Sequence, residues 1–301
     1  MLDFRLYTFL TLSETLNYTK AAEQLCITQP AVSQHIKYLE NEYDVKLFHH
    51  NGKHLSLTRQ GKVLAQSVRT MAADEKILKE KLKAVNTELD HLTFGATLTI
   101  GEFMLPKKLN TLLTRHPETS LTMIVKNTSS LLQMLDHGEI SFAFVEGYFK
   151  KNKYAYQMIS KEHFVALKHK DYPLTKDVNT LEDLLDETLI LRESGSGTRE
   201  ILERVLKEKN LSSHDFHKTI EIGNMNAIKY LVQQKQGIAF LYETAAQSEL
   251  AQGEFEIIPL QDFDIYREFN FITLKNSQFL QEYKDFLNDL LQEHDEDAII
   301  G

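Results

Sequence analysis

The chain has 301 residues, of which 42% are hydrophobic, with one cysteine and a formal net charge of -9. That length accommodates two or more domains with sizeable cores; no apolar run approaches membrane-span length, and a single thiol excludes an internal disulfide. The charge is uneven: residues 1–65 hold seven lysines and arginines against six acids, net +1, which leaves -10 for the remainder. Any nucleic-acid contact therefore belongs to the N-terminal segment, and it would rest on local placement more than on a general field.

The first twenty residues, MLDFRLYTFLTLSETLNYTK, carry acids and interrupt their apolar positions, which argues against a secretory signal and for a cytoplasmic location. Leu2, Leu6, Phe9 and Leu10 line one side of a first helix. From Asn17 to Glu42 the pattern predicts two helices joined by a short turn, with Thr19 capping the first and Thr28 with Pro30 opening the second. Val32, Ile36 and Leu39 share a face that packs on Ala22 and Leu25. The opposite face presents Gln29, Ser33, Gln34 and Lys37, side chains suited to base edges and phosphates in a major groove, or to the solvated side of a plain helical hairpin. Cys26 closes the first of these helices, where a packed core thiol is expected rather than a redox sensor, since no resolving partner or base adjoins it.

Two short extended runs around Asn51-Gly52 predict a β-hairpin wing that carries His49, His50, Lys53 and His54 towards a sugar-phosphate backbone, or merely packs at an edge. A long helix follows. Leu64, Val68, Met71, Glu75, Leu78, Leu82, Val85, Leu89 and Leu92 alternate spacings of four and three, a heptad seam about 45 Å long that needs a partner helix. Glu75 within it is either a point of splay or a register device.

From Ala96 the pattern becomes strand-helix alternation. The strand-like runs are TLTIGEF, SLTMIVKN, ISFAFVEG, HFVALKH, TLILRE, TIEIG and GIAFLYE, with amphipathic stretches between most of them. A closing helix carries Phe279, Tyr283, Phe286, Leu287 and Leu290, before an acidic tail expected to be disordered.

The order of these parts, with FxxLxETxNYTKAAEQLCITQPAVSQHIKYLE, LFHH and LTRQG between Phe9 and Gly61, resembles the LysR-type transcriptional regulators over essentially the whole chain. KNTSSLLQMLDHGEISFAFVEG is similar to that family's effector-domain strand-loop-helix-strand. The resemblance implies an α/β chain in three parts: a winged helix-turn-helix DNA-binding domain at 1–58, a dimerisation helix at 59–92, and a two-lobed effector domain like periplasmic binding proteins at 93–301. Lobe I would take about 93–163 plus 268–301 and lobe II about 164–267. It further implies a homodimer, assembled as a dimer of dimers on an interrupted inverted repeat of double-stranded DNA, with a small molecule between the lobes re-angling the DNA-binding domains. On this basis Thr28, Gln29, Pro30, Ser33, Gln34, Lys37, His50 and Lys53 are the expected DNA contacts. Gln34, His49 and His50 stand where the family usually has permanent charges, which implies a shallower and partly pH-dependent salt response. Tyr242 stands where proline often follows GIAFL.

Two segments place helix N-termini at strand ends, where open α/β sheets bind ligands. Thr128, Ser129 and Ser130 follow Asn127, and Ser194, Gly195, Ser196, Gly197, Thr198 and Arg199 form the second. Hydroxyls, backbone N–H groups and a guanidinium suit a carboxylate, sulfur oxyanion or phosphate, although each segment alone also reads as ordinary N-capping. With the resemblance, in which matching positions line the inter-lobe cleft, an anionic effector is expected, and Met104, Asn224 and Met225 are added as cleft candidates, with packing the commoner role for methionine. The ESGSGTR run from Glu193 looks like the branch controlling sulfur or inorganic-carbon assimilation genes. No HExxH, GxSxG or clustered Cys/His set is present, so neither an enzyme nor a cofactor or metal is expected. A stand-alone solute-binding protein remains the alternative, against which the N-terminal module and the absent export signal argue.

Overall fold

The computed structural model describes residues 2–51, 54–84 and 91–292. Three helices open it: α1 (Phe4–Thr15), α2 (Tyr18–Gln24) and α3 (Gln29–Glu42). Asn17, not Thr19, caps α2, accepting the Lys20 N–H at 3.0 Å; Thr19 already lies inside the first turn. Thr28 caps α3 as expected, accepting the Ala31 N–H at 3.3 Å. Phe9, Leu12, Ala21, Ala22, Val32, Ile36 and Leu39 form the core of this module. Cys26 does not join them. It is exposed at φ 53, just past α2, while Ile27 N–H reaches back to Ala22 O at 3.0 Å. That six-to-one bond closes the helix with Cys26 in the left-handed position and turns Ile27 inward instead.

Strands β1 (Phe48–Asn51) and β2 (His54–Leu57) pair antiparallel in the register Phe48↔Leu57 to Asn51↔His54, the expected wing. Lys53 lies outside the described residues. Helix α4 then runs Arg59–Ala84, 26 residues or about 39 Å. Its seam is divided. Leu64 and Val68 pack into the N-terminal core and Ala73 packs against lobe I, whereas Val63, Met71, Leu78 and Leu82 are exposed. Leu92 is not on the seam, because strand β3 (His91–Ala96) has begun by then; Val85 and Leu89 lie outside the described residues.

One nine-stranded sheet organises the rest. β4 (Ser120–Val125), β3, β5 (Phe142–Val145) and the C-terminal half of β11 (Ile265–Leu274) form lobe I, covered by α5 (Leu105–Arg115), α6 (Thr128–Asp136) and α10 (Leu280–Leu291). β8 (Lys218–Glu221), β7 (Thr188–Leu191), β9 (Ile238–Tyr242), the C-terminal half of β6 (Tyr154–His169) and β10 (Phe255–Ile257) form lobe II, with α7 (Gly197–Glu208), α8 (Met225–Gln233) and α9 (Gln247–Ala251). β6 and β11 run antiparallel through both lobes from Tyr154↔Leu274 to Phe164↔Ile265, with a register shift at Phe269/Asn270. This ribbon is the connection between the lobes.

TLTIGEF is not a strand. Thr97 N–H still bonds Phe144 O at 2.9 Å, but Gly101 N–H closes on Thr97 O at 2.8 Å and the chain is helical from Leu98, with a π segment over Ile100–Met104 leading into α5. The other six strand-like runs are strands; β3, the first half of β6, β10 and β11 escaped the pattern.

Candidate functional site

On α3, Thr28, Gln29, Pro30, Gln34 and Lys37 are exposed and Ser33 is half-buried, with Gln29 Nε2 3.4 Å from Ser33 Oγ. His35 turns the other way, its Nδ1 2.9 Å from Thr8 Oγ1 and its ring edge-on to Phe4, so it belongs to the scaffold. Glu40 ties α3 to the wing, accepting Leu47 N–H at 2.8 Å and Lys46 Nζ at 2.7 Å. The exposed α3 face and the wing thus form one surface of donors and acceptors. His50 lies on β1.

Between the lobes, the first residues of α6 and α7, Thr128 and Gly197, both lie against Glu146 and Gly147, at the carboxyl end of β5. Thr128 Oγ1 donates to Glu146 O at 2.7 Å. From lobe II, Gly197 opens α7 so close that a Cβ there would stand 3.2 Å from Glu146 Cγ. Glycine is what allows the two lobes to touch at that point. Ser196 caps α7, accepting Arg199 N–H at 3.2 Å, and Thr198 Oγ1 lies 3.4 Å from Ser196 Oγ; both side chains are buried. Ser129, Ser194 and Gly195 are exposed, and Ser130 donates its N–H to Asn127 Oδ1 at 2.9 Å.

Other expected residues point elsewhere. Arg199 is held by Glu203 at 2.7 Å and Glu221 at 2.6 Å within its own lobe, so its charge is already matched. Met225 is fully buried in the lobe II core, Asn224 caps α8 through Ala227 N–H at 2.9 Å, and Met104 packs half-buried against the main core.

The structure adds residues that the pattern did not single out. Glu146 is 2% exposed; Thr99 Oγ1 donates to its Oε1 at 3.3 Å, and its Oε2 is buried without a partner. Burial pushes its carboxyl up to about 7, against the pull of Thr99 and Arg192. Arg192, at the end of β7, grips Glu193 at 2.7 and 2.8 Å while its field reaches Glu102 and Glu146 of lobe I. Tyr242 is fully buried, its hydroxyl unpartnered, with its ring edge-on to Phe269 at 4.8 Å; burial raises its phenol well above the ordinary value. Thr97 Oγ1, Glu102 Oε2, Arg267 Nε and Asn270 Oδ1 are also buried and unpartnered. A cavity of about 300 Å³ is lined by two of these residues, Arg267 and Asn270, with Gly147 and Tyr148 among others. Native interiors leave few such groups unsatisfied, and their concentration where two lobes meet marks a place for a polar ligand or ordered water. The available signal was a charged residue directly after an apolar strand, in FAFVE and TLILR.

Residues 4–62 match the model of the bacterial regulatory helix-turn-helix protein, lysR family, and residues 86–295 match that of the LysR substrate binding domain. The HTH-type transcriptional regulator CysL of Bacillus subtilis is 30% identical over 274 residues, 89% of each chain. A probable RuBisCO transcriptional regulator of Phaeodactylum tricornutum is 29% identical over 280 residues, 91% of each. The regulatory domain of Synechocystis PCC6803 CcmR, solved in complex with 2-PG, superposes with a TM-score of 0.59 at 24% identity, over 67% of this chain and 95% of that one.

Proposed function

Because the chain belongs to the LysR family of helix-turn-helix transcriptional regulators, we propose that its effector is a small oxyanion held where α6 and α7 begin, and that its closure resets the angle between paired DNA-binding modules. DNA binding and control by a small molecule come with the family. The observation that carries the finer reading is the convergence of two helix N-termini, from different lobes, on Glu146 and Gly147. Partial positive charge and free N–H groups favour an anion there, and an anion bridging both lobes favours the closed state over an open one. Thr128, Ser129 and the Ser196–Thr198 turn are the contacts, with Arg192 as the nearby cation. A structural neighbour, the Synechocystis CcmR regulatory domain, was solved in complex with 2-PG, which supports a small-molecule effector in this domain.

In this reading α3 enters the major groove through Gln29, Ser33, Gln34 and Lys37, Thr28 and Pro30 approach the backbone, and His50 and Lys53 of the wing lie along a phosphate strand. The exposed Val63, Met71, Leu78 and Leu82 support pairing of α4 with a second copy, and a dimer of dimers would span an interrupted inverted repeat. No described helix is long and apolar enough to cross a membrane; a DNA partner is what supports the cytoplasm as its place of action. Retention of the full chain on its own upstream DNA, with sulfate, phosphate and short carboxylates added in turn, tests the reading. An anion that shifts affinity or DNA bending supports it; indifference to every anion, alongside a response to a neutral metabolite, overturns it.

A further inference from the structure

Glu146 is a poor neighbour for the ligand this cleft is built to hold. It occupies the meeting point of the two helix N-termini, buried, with one carboxylate oxygen bonded only to Thr99 and the other to nothing. Every element around it can be named. The helix after β3 brings Thr99 and Glu102, and α6 brings the uncharged Thr128. α7 brings Gly197, which has no side chain, and β7 brings Arg192, whose fork is already filled by Glu193. Tyr242 of β9 feels Glu146, Arg267 of β11, Glu162 of β6 and Tyr148. Glu162 in turn accepts from Thr244, and Lys229, opposite Glu102, pairs with Glu249 at 2.7 Å. Among the described residues of this ring, Arg192 is committed to Glu193 and Lys229 to Glu249, and Arg267 acts on Tyr242 rather than on Glu146.

An oxyanion arriving at Gly197 and Thr128 would meet that carboxylate at close range in a buried space. Two like charges there cannot both persist, and the lower-energy outcome is that one is neutralised by a proton. We propose that Glu146 is the specificity-determining residue of the cleft: an oxyanion enters only as the Glu146 carboxyl takes up a proton, so binding and protonation are one event. The inference rests on the oxyanion reading given above and adds to it a rule for charge. Protonated, Glu146 turns from a repelling acceptor into a donor that can bond the bound oxyanion through the oxygen now lacking a partner. A carboxyl held near 7 rather than in the ordinary carboxylate range makes this uptake possible at neutral pH. A cationic or amine effector would show the opposite rule, binding the ionised form and releasing the proton.

The test is calorimetric titration of the full chain with sodium sulfate, which stays a dianion throughout, near pH 6 and near pH 8 at matched ionic strength. Each titration is run in two buffers of different ionisation enthalpy, so that protons exchanged are read directly. Wild type is expected to bind sulfate at least tenfold more weakly at the higher pH, with proton uptake approaching one per sulfate, as linkage requires. Glu146→Gln is expected to bind equally at both pH values with no proton exchanged. Wild-type affinity that ignores pH, or a glutamine variant that keeps the dependence, overturns the role of Glu146 and leaves the anion cleft standing. Absence of sulfate binding in both proteins at both pH values overturns the oxyanion reading and this inference with it. If the glutamine variant does not fold, the wild-type proton count alone decides.

Discussion

Asp74 and Glu75, adjacent on α4, hold opposite halves of the chain. Glu75 accepts Leu2 N–H at 3.0 Å and the Tyr7 hydroxyl at 2.9 Å, fixing α1 to the long helix. Asp74 turns to the other side and accepts Ser277 Oγ at 2.6 Å and Gln278 N–H at 2.8 Å, just before α10 of lobe I. Around Asp74, Thr70 donates to Lys275 O at 3.2 Å, and Ala73 packs on Gly138, where an added Cβ would come within 2.7 Å of the helix backbone. One turn of α4 thus ties the DNA-binding module to lobe I, so motion at the β6–β11 ribbon would move lobe II against a single larger body. The polar residue in the heptad seam has partners within this chain.

Asp74→Asn is therefore expected to leave DNA affinity intact and to weaken the response of that affinity to effector, with a stability loss of about 1–3 kcal/mol, the usual range for removing a charged acceptor from a buried donor. Urea unfolding and DNA titration with and without the active anion check both parts. An unchanged response would mean that α4 and lobe I are not coupled through Asp74.

Glu75 has its own signature in acid. Lys79, Leu2 N–H and Tyr7 hold its carboxyl down to about 2. A depressed carboxyl contributes stability above its unfolded value, and that contribution is lost as pH falls through the folded one. Protection of the α1 amides from hydrogen exchange should accordingly persist in wild type to about pH 3, while Glu75→Gln loses part of it already at neutral pH. Equal protection in the two proteins would remove Glu75 from the joint.

For assembly, the exposed and buried seam positions separate two outcomes. Leu78 is 40% and Leu82 is 62% exposed, so lysine at both should yield folded monomers with weak operator binding. Val68 is 1% exposed within the N-terminal core, so Val68→Ala should lower stability by roughly 1–3 kcal/mol without changing the oligomeric state. Sedimentation and thermal unfolding distinguish these. A double-lysine variant that remains dimeric would place the interface elsewhere.

On the DNA side, Gln34→Ala should relax sequence preference and Lys37→Ala should weaken all sequences alike, flattening the salt slope by about one. Titrations at several salt concentrations with specific and scrambled duplexes read both. If neither variant changes affinity or preference, α3 does not lie in the groove.

How much of this was legible depends on what each pattern can report. The amphipathic spacing of Val32, Ile36 and Leu39 named the buried face of α3, and hydroxyl-glycine runs named the starts of α6 and α7, because caps and periodicity are local. The role of Glu75 stays open between splay and register in the sequence, because a heptad says only that a face needs a partner, not whether the same chain supplies it. The first half of β6 was missed because it borders both the core and solvent: Tyr154 is buried while Tyr156, Gln157 and Met158 are all exposed, which breaks alternation. Glu146 was passed over because an acid following an apolar strand usually marks a solvated loop, and only the approach of Gly197 from another lobe buries it. The pairing of Arg199 was not legible for the same reason, since Glu203 and Glu221 are too far apart in sequence to read as one site.

That buried carboxyl also has a consequence in the absence of any ligand. In the unfolded chain Glu146 ionises near the ordinary carboxylate value of about 4.3, whereas in the fold it holds its proton up to about 7. A raised carboxyl stabilises the fold fully below the unfolded value, and the contribution is lost as pH rises through the folded one. Wild type should thus lose stability relative to Glu146→Gln between about pH 4.5 and pH 7, by roughly 3 kcal/mol at the most. Depressed carboxylates such as Glu75 change in the opposite sense and at lower pH, and they are common to both proteins, so the difference between the two curves isolates Glu146. Urea unfolding at a series of pH values measures it. A difference that is flat across this window would mean that Glu146 is hydrated or otherwise matched in solution, and the argument for proton-linked effector binding would lose its physical basis.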